Sequence, residues 1–214
     1  TLYALTRKAS ELVPAGHIVA YEQFRLPVYN KVPVEFSTAG ILKVSEDGEI
    51  ILVSGDKFSL EINRKSGWIS SYIIEDKEML LMPLQPEFWR APIDNDFGNG
   101  MPDSLKIWKN IENEFLAEKI ESLQPSDGKI IINVDFSIKQ TDCGAGISYE
   151  IYSDGAVVVK STFNLDKPDL PVIPRIGFRT RLPREFDNFT YFGRGPHENY
   201  IDRNTSALIG LYRS

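Results

Sequence analysis

An all-β, antiparallel fold with one short helix is what this sequence predicts, and three observations carry the prediction. Ile130, Ile132, Val134, Phe136 and Ile138 are apolar at every second position, the period of a strand with one buried face. Two pairs of strand-like runs are separated by the turn sequences Arg64-Lys65-Ser66-Gly67 and Ser153-Asp154-Gly155, and Asp-Gly is a strong hairpin former. Only one stretch of the chain repeats its apolar residues at steps of three and four.

Taken in order, residues 1 to about 30 show one convincing strand, from Ile18 to Leu26, followed by a linker from Pro27 to Pro33. Phe58, Leu60 and Ile62 alternate with polar residues, and Trp68 to Ile74 has the aromatic and β-branched content of the returning strand. After Pro102, where Asp103 or Ser104 can cap, Leu105, Trp108, Ile111 and Phe115 predict an amphipathic helix of about three turns over 104–116. Ile147, Tyr149 and Ile151 then face Val157, Val159 and Phe163 across the Asp-Gly turn, and further strands are expected from Ile173 to Leu182 and from Leu208 to Tyr212. Trp108 and Trp89 are read as packing residues before sugar-stacking platforms, because a large aromatic ring buries more area than any other side chain.

Composition excludes several classes. With 214 residues, 42% hydrophobic and 25% charged, the chain is an ordinary globular one with a sizeable core. A net charge of −6 and dispersed Lys and Arg argue against nucleic acid, whose phosphates need clustered cations. The longest apolar runs, Ile50 to Val53 and Met79 to Leu84, are far too short to span a bilayer. Cys143 is the single cysteine, so no intramolecular disulfide forms, and no basic neighbour activates its thiol. With only His17 and His197, a zinc site would need carboxylates from several distant segments, and no metal site is expected.

Two segments stand apart from this plain pattern. Arg90-Ala91-Pro92-Ile93-Asp94-Asn95-Asp96-Phe97-Gly98 packs charges, an amide and two backbone punctuators into one turn, just before Asn99-Gly100. Downstream lies Gly193-Arg194-Gly195-Pro196-His197-Glu198-Asn199-Tyr200-Ile201-Asp202-Arg203. Gly193 and Gly195 do not open a helix, so they are not a dinucleotide loop. The spacing of Asp94 and Asp96 lacks the order of a helix-loop-helix calcium loop.

Together with Ala15-Gly16-His17-Ile18-Val19-Ala20-Tyr21-Glu22-Gln23-Phe24-Arg25-Leu26, these motifs resemble, in the same order, the large β-galactosidases of glycoside hydrolase family two. The resemblance implies that 1–32 is the remnant of an immunoglobulin-like domain plus linker. It implies that 33–214 is the first, truncated part of the C-terminal antiparallel supersandwich, a fold shared with galactose-mutarotase-like proteins. A retaining glycosidase needs two carboxyls about 5 Å apart, and in this family both sit in an upstream (β/α)₈ barrel. The chain should therefore be an accessory portion, inactive alone toward a chromogenic galactoside, with the parent enzyme's own barrel and a galactoside as its partners. No cofactor is expected here, although the parent enzyme can use Mg through residues elsewhere. Homo-oligomerisation and the choice between cytoplasm and periplasm stay open.

The same resemblance brings Gly98, Asn99, Gly100 and Asp103 to the barrel mouth as a candidate mobile lid. By residue type, Arg90, Asp94 and Asp96 either form an ion-pair network that fixes the turn or, with Asn95, bind sugar hydroxyls. His197, Glu198 and Asn199 form a secondary group. They suggest an alternative, a free-standing carbohydrate-binding or aldose-epimerase-like sandwich, in which a histidine and a glutamate move protons at the anomeric carbon.

Overall fold

Alternation becomes pairing wherever two runs meet across a tight turn, and the chain does this repeatedly. The structure, a computed structural model, describes residues 1–28, 32–201 and 203–214. Tyr29 to Lys31 of the expected linker and Asp202 of the downstream motif lie outside the described residues. In chain order the strands are β1 (Leu2–Leu5), β2 (Ile18–Glu22), β3 (Lys43–Glu46), β4 (Ile50–Ser54), β5 (Phe58–Asn63), β6 (Ile69–Ile74), β7 (Lys77–Glu78), β8 (Met82–Glu87), β9 (Phe115–Ser126), β10 (Lys129–Ile138), β11 (Cys143–Tyr152), β12 (Val157–Asn164), β13 (Gly177–Arg181), β14 (Thr190–Gly195) and β15 (Leu208–Arg213). Between β8 and β9 lie two short helices, α1 (Asp94–Gly98) and α2 (Met101–Ser104), and two 3₁₀ turns, Lys106–Trp108 and Ile111–Glu114. The chain divides into two compact units, Thr1–Val34 with Glu185–Ser214, and Glu35–Arg184.

The larger unit is an antiparallel sandwich. One sheet runs β3-β4-β5-β6-β7, the other β12-β11-β10-β9, and β13 pairs with β8. Inward positions of β4, β5, β10 and β11 are mostly Ile, Val or Leu, with Phe58, Phe136 and Tyr149 among them, and form one core. Each such side chain, fully removed from water, contributes about 1.5–3 kcal/mol. Trp68 ties the sheets together by stacking on Phe136, with centroids 4.5 Å apart, and the Tyr149 hydroxyl donates to the Gly67 carbonyl at 3.2 Å. Burial pushes the Tyr149 phenol pKa up, so this hydroxyl stays a donor. The segment from Ser37 to Leu42 straps across two hairpin turns. Gly40 N–H donates to the Ser153 hydroxyl (3.0 Å), that hydroxyl donates to the Ser37 carbonyl (2.9 Å), and Leu42 N–H donates to the Asp127 carbonyl (2.7 Å).

On the outer face of the second sheet, Glu150 accepts hydrogen bonds from Lys160, from Lys129 at 3.0 Å and from the Tyr152 hydroxyl at 2.9 Å. The Lys160 contact first, then Lys129 and Tyr152, hold its carboxyl down at about 2, from a usual 4.5. A depressed carboxylate stabilises the fold above its unfolded pKa, and that contribution is lost as pH falls through the folded one. Glu150→Gln is therefore expected to lower the thermal midpoint at pH 6, with the deficit shrinking between pH 4.5 and 2. Midpoints at pH 6, 4 and 2.5 check this, and a deficit that is the same at all three sinks it.

In the smaller unit, β1 pairs with β2 and β14 with β15, both antiparallel. The Gln23 side-chain amide joins β15 as a strand would, donating to the Ile209 carbonyl at 2.8 Å and accepting its N–H at 2.6 Å. β2 accordingly stops at Glu22, short of the expected Leu26, and it has the partner β1, whose four residues are too few to show a period in sequence.

The expected three-turn helix over 104–116 is not formed. Its stripe is real, since Trp108, Ile111 and Phe115 are all buried, but the backbone between them is broken. Lys109 is extended and Asn110 lies in the left-handed region at φ 60°, so two 3₁₀ turns replace the helix and Phe115 opens β9. Trp, Ile and Asn are middling helix formers, and packing overrides them readily. Asp103 and Ser104 do not cap it, because both lie inside α2, whose N-cap is Gly100. The strand expected from Ile173 to Leu182 is confined to Gly177–Arg181.

Candidate functional site

The first motif leaves the sandwich from the end of β8. Phe88 is fully buried and meets Phe163 and Trp108 edge-on, at centroid distances of 5.0 and 6.0 Å. This aromatic post fixes where the following turn begins. Two residues later the Arg90 guanidinium grips the Asp96 carboxylate with both arms, at 2.5 and 2.7 Å, and Ile93 N–H donates to the same carboxylate at 2.9 Å. Asp96 is only 5% exposed. The Arg90 hydrogen bonds, then that of Ile93, hold its carboxyl below the usual carboxylate range. A fork-to-fork pair of this kind is specific in geometry as well as strong.

With its oxygens occupied in this way, Asp96 locks Arg90 and ties the Ile93 amide to the first turn of α1. Asp94 and Asn95, in contrast, stand exposed on the first turn of α1. Beside them Phe97 is 64% exposed and Ile93 53% exposed, so a fixed turn presents a carboxylate, an amide and two apolar side chains outward.

Next, the Asn99 side chain accepts Met101 N–H at 3.0 Å, an Asx turn, and Gly100 takes φ +75°, which glycine adopts without strain. Gly98 ends α1 without a positive φ, and a Cβ there would meet nothing. The Ser104 hydroxyl closes α2 by donating to the Gly100 carbonyl at 3.0 Å. Met101 is buried and Asp103 exposed. The segment expected to be a mobile lid, Gly98 to Asp103, is folded into two helical turns with the Met101 side chain buried.

His197, Glu198 and Asn199 belong to the other unit and are all exposed. One His197 ring nitrogen, Nδ1, is 2.7 Å from the Glu198 backbone carbonyl, and Nε2 is 3.1 Å from the Ser206 hydroxyl. The ring is engaged by Glu198's main chain, not its carboxylate. Asn199 bonds the Arg194 carbonyl at 3.4 Å.

Sequence reasoning missed a second ionic cluster beneath the first motif. Arg179 of β13 reaches Glu87 at the end of β8 (3.0 Å) and Glu112 of the second 3₁₀ turn (2.9 Å). The two carboxylate side chains are 10% and 8% exposed. One signal was available, because Glu112 lies four residues after Trp108, on the predicted apolar stripe, where a carboxylate needs a partner.

Fold and motifs define a β-sandwich module whose built feature is a locked end turn; among the described residues no group of three or more His, Cys, Asp or Glu could hold a metal ion. Residues 54–214 match the family model described as beta galactosidase small chain. The chain is 32% identical over 213 residues to the beta-galactosidase of Priestia megaterium (strain DSM 319 / IMG 1521), covering 100% of this chain and 20% of that protein. It is 29% identical over 217 residues to the beta-galactosidase of Halalkalibacterium halodurans, covering 98% and 21%, and 32% identical over 216 residues to that of Psychromonas ingrahamii, covering 92% and 20%. The chain belongs to the beta-galactosidase small-chain family, and it spans about a fifth of the length of the curated relatives it matches.

Proposed function

We propose that this chain is an accessory, non-catalytic sandwich portion of an enzyme that hydrolyses terminal β-galactosides, and that the α1 turn forms part of the rim of the sugar site. The acid/base and nucleophile belong on this reading to a barrel domain of the same enzyme, the chain's principal partner, with any Mg held there too. Residues 1–32 act as the last strands of an immunoglobulin-like domain, and 33–214 as the opening part of the sandwich. The supporting observation is the Arg90–Asp96 lock, which fixes α1 while leaving Asp94, Asn95 and Phe97 outward. A rim held in this way orients a substrate at little entropic cost, because its backbone turn is fixed beforehand.

The test is the double substitution Asp94→Ala/Asn95→Ala in the full-length enzyme. Exposed positions of this kind change stability by roughly 0.5 kcal/mol or less, while loss of one or two hydrogen bonds to sugar hydroxyls is worth about 0.5–1.5 kcal/mol each. KM for a chromogenic galactoside is therefore expected to rise by roughly two- to a hundredfold, with the thermal midpoint nearly unchanged. Unaltered kcat and KM would remove these residues from the sugar site. The epimerase-like alternative asks His197 to share a substrate with Glu198, and the ring's contacts with a backbone carbonyl and Ser206 give it no such geometry.

A further inference from the structure

We infer that Arg179 is a positioning residue for the α1 rim, acting by clamping both ends of the chain excursion that carries it. The excursion leaves the sandwich after Glu87 and returns at the 3₁₀ turn Ile111–Glu114. At the outgoing end Glu87 takes Arg179 Nη1 on one oxygen, at 3.0 Å, and Trp89 N–H on the other, at 3.3 Å. At the returning end Glu112 takes Arg179 Nη2 at 2.9 Å. One planar guanidinium therefore sets the separation of the two ends, which lysine, a single point charge on a flexible stem, cannot do.

The arrangement is costly as a stability device alone. Two carboxylates taken out of water and sharing one cation lose more hydration than a compact apolar replacement would. What the cluster supplies is geometry: Glu87 is joined through the Trp89 amide to Arg90, and Arg90 through its fork to Asp96 and to the first turn of α1. A shift at Arg179 passes along this chain of hydrogen bonds to Asp94 and Asn95. The functional half of the inference rests on the rim reading above.

The experiment uses the full-length enzyme with Arg179→Met, Arg179→Lys and Glu112→Gln, the last keeping shape and an acceptor at the returning end. Three amides hydrogen-bonded within the excursion serve as probes: Phe97 to Ile93, Asn99 to Asn95 and Leu105 to Met101. In Arg179→Met these amides are expected to exchange at least about tenfold faster while those of β10 and β11 keep their protection, since local opening reports local anchoring. KM for the galactoside is expected to rise about three- to tenfold with kcat changed less than about twofold, the split of a weakened binding rim that does not touch the chemical step. Arg179→Lys and Glu112→Gln should fall between this variant and the parent, and they carry the test if Arg179→Met does not fold. Unchanged exchange at the three probes, or an equal increase throughout the sandwich, overturns the inference. Faster exchange confined to the probes with parental kcat and KM upholds the clamp and overturns the rim reading.

Discussion

Replacing Trp108 by alanine is expected to lower the unfolding free energy by about 3–5 kcal/mol, the cost of emptying a buried aromatic site. The ring is 1% exposed, its Nε1 donates to the Pro171 carbonyl at 3.1 Å, and Phe88 meets it edge-on at 6.0 Å. Three separated segments therefore converge on one side chain. For a chain of this size the loss corresponds to a midpoint lower by on the order of 10 °C. Trp108→Phe keeps most of the apolar contact and leaves the Pro171 carbonyl without its donor, so it should cost about 1–3 kcal/mol. Urea unfolding of both variants distinguishes packing from hydrogen bonding. A Trp108→Ala loss below about 1 kcal/mol would show that the site collapses around the void and that Trp108 does not organise the loop.

Gly128→Ala should be nearly as damaging, for a different reason. A Cβ at this turn would lie 2.0 Å from the Thr38 carbonyl oxygen and 2.4 Å from its carbon. Both are backbone atoms, so no side chain can swing aside. Forcing such an overlap costs about 1–3 kcal/mol or more, and the cheapest relief is to lift the strap from the turn. That would break the Leu42 N–H to Asp127 carbonyl bond and strain the Ser153 N–H to Gly128 carbonyl bond. A lowered midpoint together with faster exchange of the Leu42 amide is the expected outcome. A lowered midpoint with the Leu42 amide still protected would mean that the strap holds and that the hairpin turn yields instead.

Much of the sandwich was legible because its information is local. Five inward residues of β10 alternate within one strand, and its neighbour β11 follows a four-residue connection. Alternation and a turn need no knowledge of distant chain. An ion pair within the turn was one of two roles expected of these residues, since Arg90 and Asp96 are six residues apart; that Asp96 and not Asp94 takes the guanidinium was not legible. The helical turns of Gly98 to Asp103 were not legible, because two glycines suggest freedom locally and the burial of Met101 depends on distant packing.

What the sequence determined by itself was the class of fold, the antiparallel hairpins and the presence of a structured turn at Arg90 to Gly98, because each follows from side-chain period and turn chemistry over a few residues. Tertiary structure alone decided three things. It broke the Leu105 to Phe115 stripe into 3₁₀ turns so that Trp108 could reach Pro171, sixty-three residues away. It set Gln23 on the edge of β15 at Ile209. And it gave Glu87 and Glu112 a shared cation in Arg179, sixty-seven residues beyond Glu112. Each depends on which distant segments the closing core brings within hydrogen-bond distance, a property of the whole packing that no local window of residues contains.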